Sequence, residues 1–166
     1  MTHHTRQVSV QRFSLTTSKP FKDVVAGIEA RVGHPDMIAF RKNMTAAETD
    51  VALQKIVQAA TGSSGLMEFT RFDLGEVLRK ELGSKAAQSL RLVVGNPLIM
   101  RQMVKLVPDA GSYAPVTILI DERPNGVHIS YDEMVSFLTP YGNAEALQVA
   151  KDLDIKVETL LTAAAS

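Results

Sequence analysis

Val116-Thr-Ile-Leu-Ile-Asp-Glu-Arg-Pro-Asn-Gly-Val-His-Ile-Ser-Tyr-Asp132 carries two alternating runs on either side of a turn. Val116, Ile118 and Ile120 lead in; Val127, Ile129 and Tyr131 lead out, with His128 and Ser130 on the opposite face. Successive side chains of a strand point to opposite faces, so the spacing predicts two half-buried strands. Between them Arg123-Pro-Asn-Gly126 reads as a hairpin turn, with the proline preset and Gly126 free to take a positive φ. This antiparallel pair is the one strand pairing that the residues determine directly.

Working outward, Leu90, Leu92 and Val94 alternate with Arg91 and predict another strand. Asn96 then suits a helix cap and Pro97 the first turn. Ile99, Met100, Met103, Val104 and Val107 line that helix, and Pro108 stops it. Leu66 to Phe72 reads as a strand with Met67 and Phe69 on one face and Glu68 and Thr70 on the other. Asp73-Leu-Gly-Glu76 starts a short helix carrying Leu74, Val77, Leu78 and Leu82. Nearer the start, residues 7–15 predict a strand through Val8, Val10, Phe13 and Leu15, with a bulge near Gln11. A helix follows from Pro20, capped by Thr16, Thr17 or Ser18, lined by Phe21, Val24, Ile28 and Val32, and closed by Gly33. Gly33 to Asn43 reads as irregular, and Thr45-Ala-Ala-Glu48 as the capping box of a helix running to Ala60. Thr61-Gly-Ser-Ser-Gly65 is a plain turn, lacking the lysine and the preceding strand of a phosphate loop. Asn143 caps a long final helix through Leu147, Ala150, Leu153, Val157, Leu160 and Leu161. The order predicts an α+β fold: a mainly antiparallel sheet of about five strands covered by helices in two layers. Residues 1–166 are expected to form a single domain, with 1–6 a mobile tail and 34–65 a helical insertion and loop.

Lys plus Arg and Asp plus Glu are both 18 in 166 residues, so the formal charge is zero. Neutralising nucleic-acid phosphates needs a basic surplus, so no nucleic acid is expected as a partner. The chain has no cysteine, which removes disulfides, thiolate ligands and thiol nucleophiles together. No apolar run approaches the roughly 18 residues of a membrane span, and Met1 to Phe13 lacks the apolar core of a secretion signal. The expected setting is cytoplasmic, with no membrane as a partner.

Gly95-Asn-Pro-Leu-Ile-Met100, Pro108-Asp-Ala-Gly-Ser-Tyr-Ala-Pro115 and Gly126-Val-His-Ile-Ser-Tyr-Asp132 together resemble the domain of unknown function 302 family. The motifs run from Leu92 to Asp132, and the flanking order of elements matches as well. The resemblance implies an α+β domain, often dimeric or in larger assemblies, with no established reaction. Leu74 stands where many relatives carry His, and Met134 where Pro is usual. If that His did chemistry, this chain has lost it.

Few residue patterns point to chemistry. His3, His4, His34 and His128 lack the close spacing that preorganises a metal site, so no metal and no cofactor is expected. There is no Gly-x-Ser-x-Gly elbow. Glu68, Asp73, Asp121 and Glu122 are explained by capping and by ordinary surface charge. The free amides of the helix beginning at Asn96 are a natural anion site, with Arg101 one turn on and Tyr113 behind the helix. Met67, Met100, Met103, Leu106 and Met134 would suit an adaptable apolar pocket, or an ordinary core. Expected ligand-binding residues are Gly95, Asn96, Arg101, Tyr113, His128 and Tyr131. The leading reading is a non-enzymatic module for small-ligand binding or assembly, a homodimer taking a small apolar or acidic ligand. The alternatives are an enzyme using Tyr113, Tyr131, His128 and Asn96 in a cleft, or a structural homodimer acting on a protein partner.

Overall fold

The computed structural model describes residues 1–83 and 86–166. Strand β4 (Val116–Arg123) returns as β5 (Gly126–Asp132), with Arg123 opposite Gly126 and Ile120 opposite Ile129. Pro124 and Asn125 form the tip, and Gly126 has φ +127°. Side chains avoid that conformation. An added Cβ would also lie 2.6 Å from the Thr17 carbonyl oxygen on the neighbouring strand. Glycine is therefore required here twice, by its backbone and by the approach of the next strand.

The sheet runs β1 (Arg12–Thr17), β5, β4, β3 (Ser89–Gly95), β2 (Met67–Asp73), with every neighbour antiparallel. Its helices are α1 (Phe21–Glu29), α2 (Met37–Ala46), α3 (Asp50–Ala60), α4 (Leu74–Leu82), α5 (Pro97–Val104), α6 (Met134–Leu138) and α7 (Ala144–Ala165). The fold is α+β, as the pattern predicts. Leu90, Leu92, Val94, Ile118, Ile120 and Ile129 share one core with Val24 and Ile28 of α1 and with Ala150, Leu153, Val157 and Leu161 of α7. Gly27 lets those two helices touch, since a Cβ there would lie 3.1 Å from the Ala164 Cα. On the other face of the sheet Thr117, Leu119, His128 and Ser130 are half-buried, and Arg91 is exposed.

Several local expectations are corrected. β1 starts at Arg12 rather than Gln7, because its only partner, β5, ends at Asp132, opposite Arg12. Arg12 and Asp132 close that end with hydrogen bonds of 2.6 and 3.0 Å. Thr17 caps no helix; it ends β1 and donates to the Ala165 carbonyl at 2.9 Å. Gly33 does not close α1, which stops at Glu29. It bridges to Met67, and a Cβ there would overlap the Ala60 carbonyl, so close backbone packing demands the glycine. The stretch read as irregular contains α2. The capping box is absent too: Thr45 lies in the last turn of α2, and α3 is capped by the Thr49 hydroxyl instead. In β2, Phe69 is an extra residue, since Glu68 faces Val94 and Thr70 faces Val93. That bulge puts Glu68 and Thr70 on different faces, contrary to simple alternation. It also brings Arg71 beside Glu68, in two hydrogen bonds of 2.6 Å, and within 2.6 Å of Glu29.

Candidate functional site

Asp36 starts α2, its carboxylate accepting from the N–H groups of Ile38 and Ala39 at 2.9 and 2.8 Å. At 3.6 residues per turn Met37, Phe40, Arg41 and Met44 then fall on one side of the helix. That side faces Pro97, Ile99, Met100 and Met103 of α5 across a cavity of about 320 Å³, which Phe69, Gly95, Asn96, Ala114 and Pro115 also line. An apolar cavity of roughly 150 Å³ takes up benzene, so this one has room for about a dozen non-hydrogen atoms. Gly95 shapes the wall, because a Cβ there would lie 3.2 Å from Pro115 and 3.5 Å from Phe69. Of the lining residues only Arg41 and Asn96 carry polar side chains.

The chain has nine arginines. Arg6, Arg12, Arg31, Arg71, Arg79, Arg91, Arg101 and Arg123 each donate to a carboxylate, hydroxyl or carbonyl oxygen. Among the described residues the Arg41 guanidinium has no such partner, although it borders the cavity.

The six residues singled out from the sequence are spread over the molecule. Gly95 and Asn96 line the cavity. Asn96 caps α5 as expected, its Oδ1 accepting from Leu98 N–H at 2.8 Å, while its amide donates to the Gly65 carbonyl at 2.9 Å. Arg101 turns away to Asp50 at the start of α3; that contact, helped by Gln54, holds the Asp50 carboxyl below its usual range. Tyr113 stacks on Phe137 with ring centroids 4.8 Å apart, and its hydroxyl is 3.1 Å from that of Tyr141. His128 places Nε2 2.7 Å from Asn125 and Nδ1 3.4 Å from Thr16. Tyr131 is 1% exposed and donates to Asp154 at 2.5 Å. The methionines divide as well: Met100 and Met103 line the cavity, whereas Met67 and Met134, buried like Met103, lie away from it.

Sequence reasoning missed two features. One is the α2 row, which was legible as Met37, Phe40, Arg41 and Met44 at helical spacing behind Asp36. The other is Asp154, which stands on the buried stripe of α7. Its carboxylate accepts from Tyr131 and from the N–H groups of Met134 and Val135 at 2.7 and 2.9 Å. It thus caps α6 from another helix. Burial pushes its carboxyl above the usual range, and the three hydrogen bonds pull it partly back. Among the described residues no group of three or more His, Cys, Asp or Glu is placed to hold a metal ion. Nor, among them, is any helix long and apolar enough to cross a membrane.

No curated protein matches the sequence. Among solved structures, the crystal structure of an uncharacterized conserved protein DUF302 from Bacillus stearothermophilus has a similar fold, with TM-score 0.64 and 11% identity over 92% of this chain and 97% of that one. The family model for the domain of unknown function DUF302 matches residues 40–164, far beyond the motifs from Leu92 to Asp132. That span takes in Phe40, Arg41 and Met44 of the α2 row, the α5 wall of the cavity and all of α7 but its last residue, and the chain belongs to the DUF302 family.

Proposed function

We propose that this chain is a non-enzymatic binding module that takes a small, largely apolar molecule into the cavity between α2 and α5. The chemistry of the lining supports this. Met37, Met44, Met100 and Met103 have unbranched, polarizable side chains that adapt to irregular ligands. The volume of about 320 Å³ lies at the lower end of small-molecule pockets, roughly 300–1,000 Å³. Catalysis by proton transfer or nucleophilic attack needs a titratable or nucleophilic group at the site. The lining offers only Arg41, which does not deprotonate, and the Asn96 amide, which is already engaged on both atoms.

The single observation behind this reading is the absence, along the described lining, of any Ser, Thr, Tyr, His, Lys or acidic side chain. Titration with an uncharged fluorescent apolar probe, N-phenyl-1-naphthylamine, tests it. One-to-one binding is expected, and Met44→Trp should abolish it by filling the space. Met44 is half-buried, so the variant should keep the parent melting temperature. A parent that fails to bind the probe, or a Met44→Trp variant that binds it undiminished, would overturn this reading.

A further inference from the structure

The α2 row presents an apolar face to the cavity it shares with α5, yet one of its four positions is arginine. A guanidinium on such a row is ordinarily satisfied by a carboxylate, a carbonyl or an aromatic face, as the other eight are. Arg41 has none of these among the described residues, and it stands where the apolar cavity meets solvent. The nearby start of α5 is a weaker competitor for an anion. The Leu98 N–H at the start of α5 is already taken by the Asn96 side chain.

Resting on the binding reading above, we infer that the ligand is an aliphatic monocarboxylate, its chain among the methionines and its carboxylate bidentate on Arg41. A planar fork of two N–H donors matches the two oxygens of one carboxylate. Dianionic phosphate heads are disfavoured, because the lining holds a single cation and no lysine. The size agrees: about a dozen non-hydrogen atoms is the size of decanoate, ten carbons and two oxygens.

The experiment compares decanoate, 1-decanol and decyl phosphate, each below its micelle concentration, as displacers of N-phenyl-1-naphthylamine. Decanoate should displace the probe at about tenfold lower concentration than decanol, since a charge-assisted hydrogen bond sets the two apart. Arg41→Gln should bring decanoate to the level of decanol and leave decanol unchanged. Arg41→Lys, a compact charge without the fork, should fall between them. Arg41 is exposed, so these variants should retain the fold, and circular dichroism checks that. Equal displacement by decanol and decanoate, or an Arg41→Gln variant that holds decanoate as tightly as the parent, overturns the carboxylate inference while leaving the apolar module standing. Tighter displacement by decyl phosphate overturns it in favour of a phosphate head. Failure of the probe itself to bind removes both readings.

Discussion

Replacing Asp154 by alanine deletes the acceptor of three hydrogen bonds at one stroke. The donors left behind are the Tyr131 hydroxyl and the first two amides of α6, Met134 and Val135. A buried donor without a partner costs about 1–3 kcal/mol. Tyr131 is fully enclosed, the enclosed Met134 N–H keeps only a longer contact to the Tyr131 hydroxyl at 3.3 Å, and Val135 is half-buried and finds water more easily. The total should be about 3–6 kcal/mol, a large share of the 5–15 kcal/mol typical of a folded domain. Asparagine keeps one acceptor oxygen but turns an N–H₂ toward donors, so Asp154→Asn should cost about half as much. Tyr131→Phe removes one donor and leaves the carboxylate on two amides, for about 1 kcal/mol. Urea unfolding followed by circular dichroism measures all three. Amide exchange at Met134 and Val135 should quicken in Asp154→Asn more than at Ile118 or Ile120 in the sheet. If Asp154→Ala is within 1 kcal/mol of the parent, Asp154 is not the cap of α6 and the argument fails.

Three other outcomes follow from the same structure. Because burial raises the Asp154 carboxyl above its unfolded value near 3.9, this group's contribution to stability is greatest below that pH and falls as pH rises through its folded value. The stability gap between parent and Asp154→Asn should therefore narrow from pH 4 upward, and a widening gap in pH-dependent urea titrations would contradict the shift. Gly126→Val should cost about 2–4 kcal/mol, from the positive φ and from the Thr17 carbonyl 2.6 Å from the new Cβ, and an unchanged melting temperature would show that the turn relaxes freely. The sheet ends in two edges, β1 and β2, which favours self-association; light scattering is expected to find a homodimer at micromolar concentration, and a monomer there refutes it.

The sheet was legible because strands advertise themselves by a period of two. Leu90, Leu92, Val94 and the two arms of the hairpin lie in the register their alternation predicts. Caps with a short polar side chain before an apolar run were legible too, at Asp73, Asn96 and Asn143. What escaped depends on partners distant in sequence. The start of β1 is set by where β5 ends, 120 residues away. The bulge at Phe69 leaves a Glu68–Arg71 pair that alternation alone would place on opposite faces. Asn96 is legible as a cap, and aspartate caps helices about as well as asparagine. The Asn96 amide bond to Gly65 argues against that exchange here, since a carboxylate there would face a carbonyl oxygen. The six candidate residues share nearness in sequence or side-chain chemistry rather than a place in the fold, and only Gly95 and Asn96 meet at the cavity.

The residues that break a local rule separate into two kinds, and the difference argues for where function lies. Asp154 breaks the apolar stripe of α7, but its surroundings account for it: three donors converge on its carboxylate, and nothing further is needed. Leu74, Val77, Leu78 and Leu82 break the opposite rule, leaving 38–70% of each side chain on the outside of α4. Arg41 breaks the apolar row of α2 without any group of the described chain to answer it. A violation resolved inside the molecule is structure; one left unresolved points outward. Arg41 carries the stronger implication of the two outward cases, because it borders a cavity whose other walls, Asn96 apart, are apolar, and the proposed carboxylate with an aliphatic chain is the counterpart that would match both.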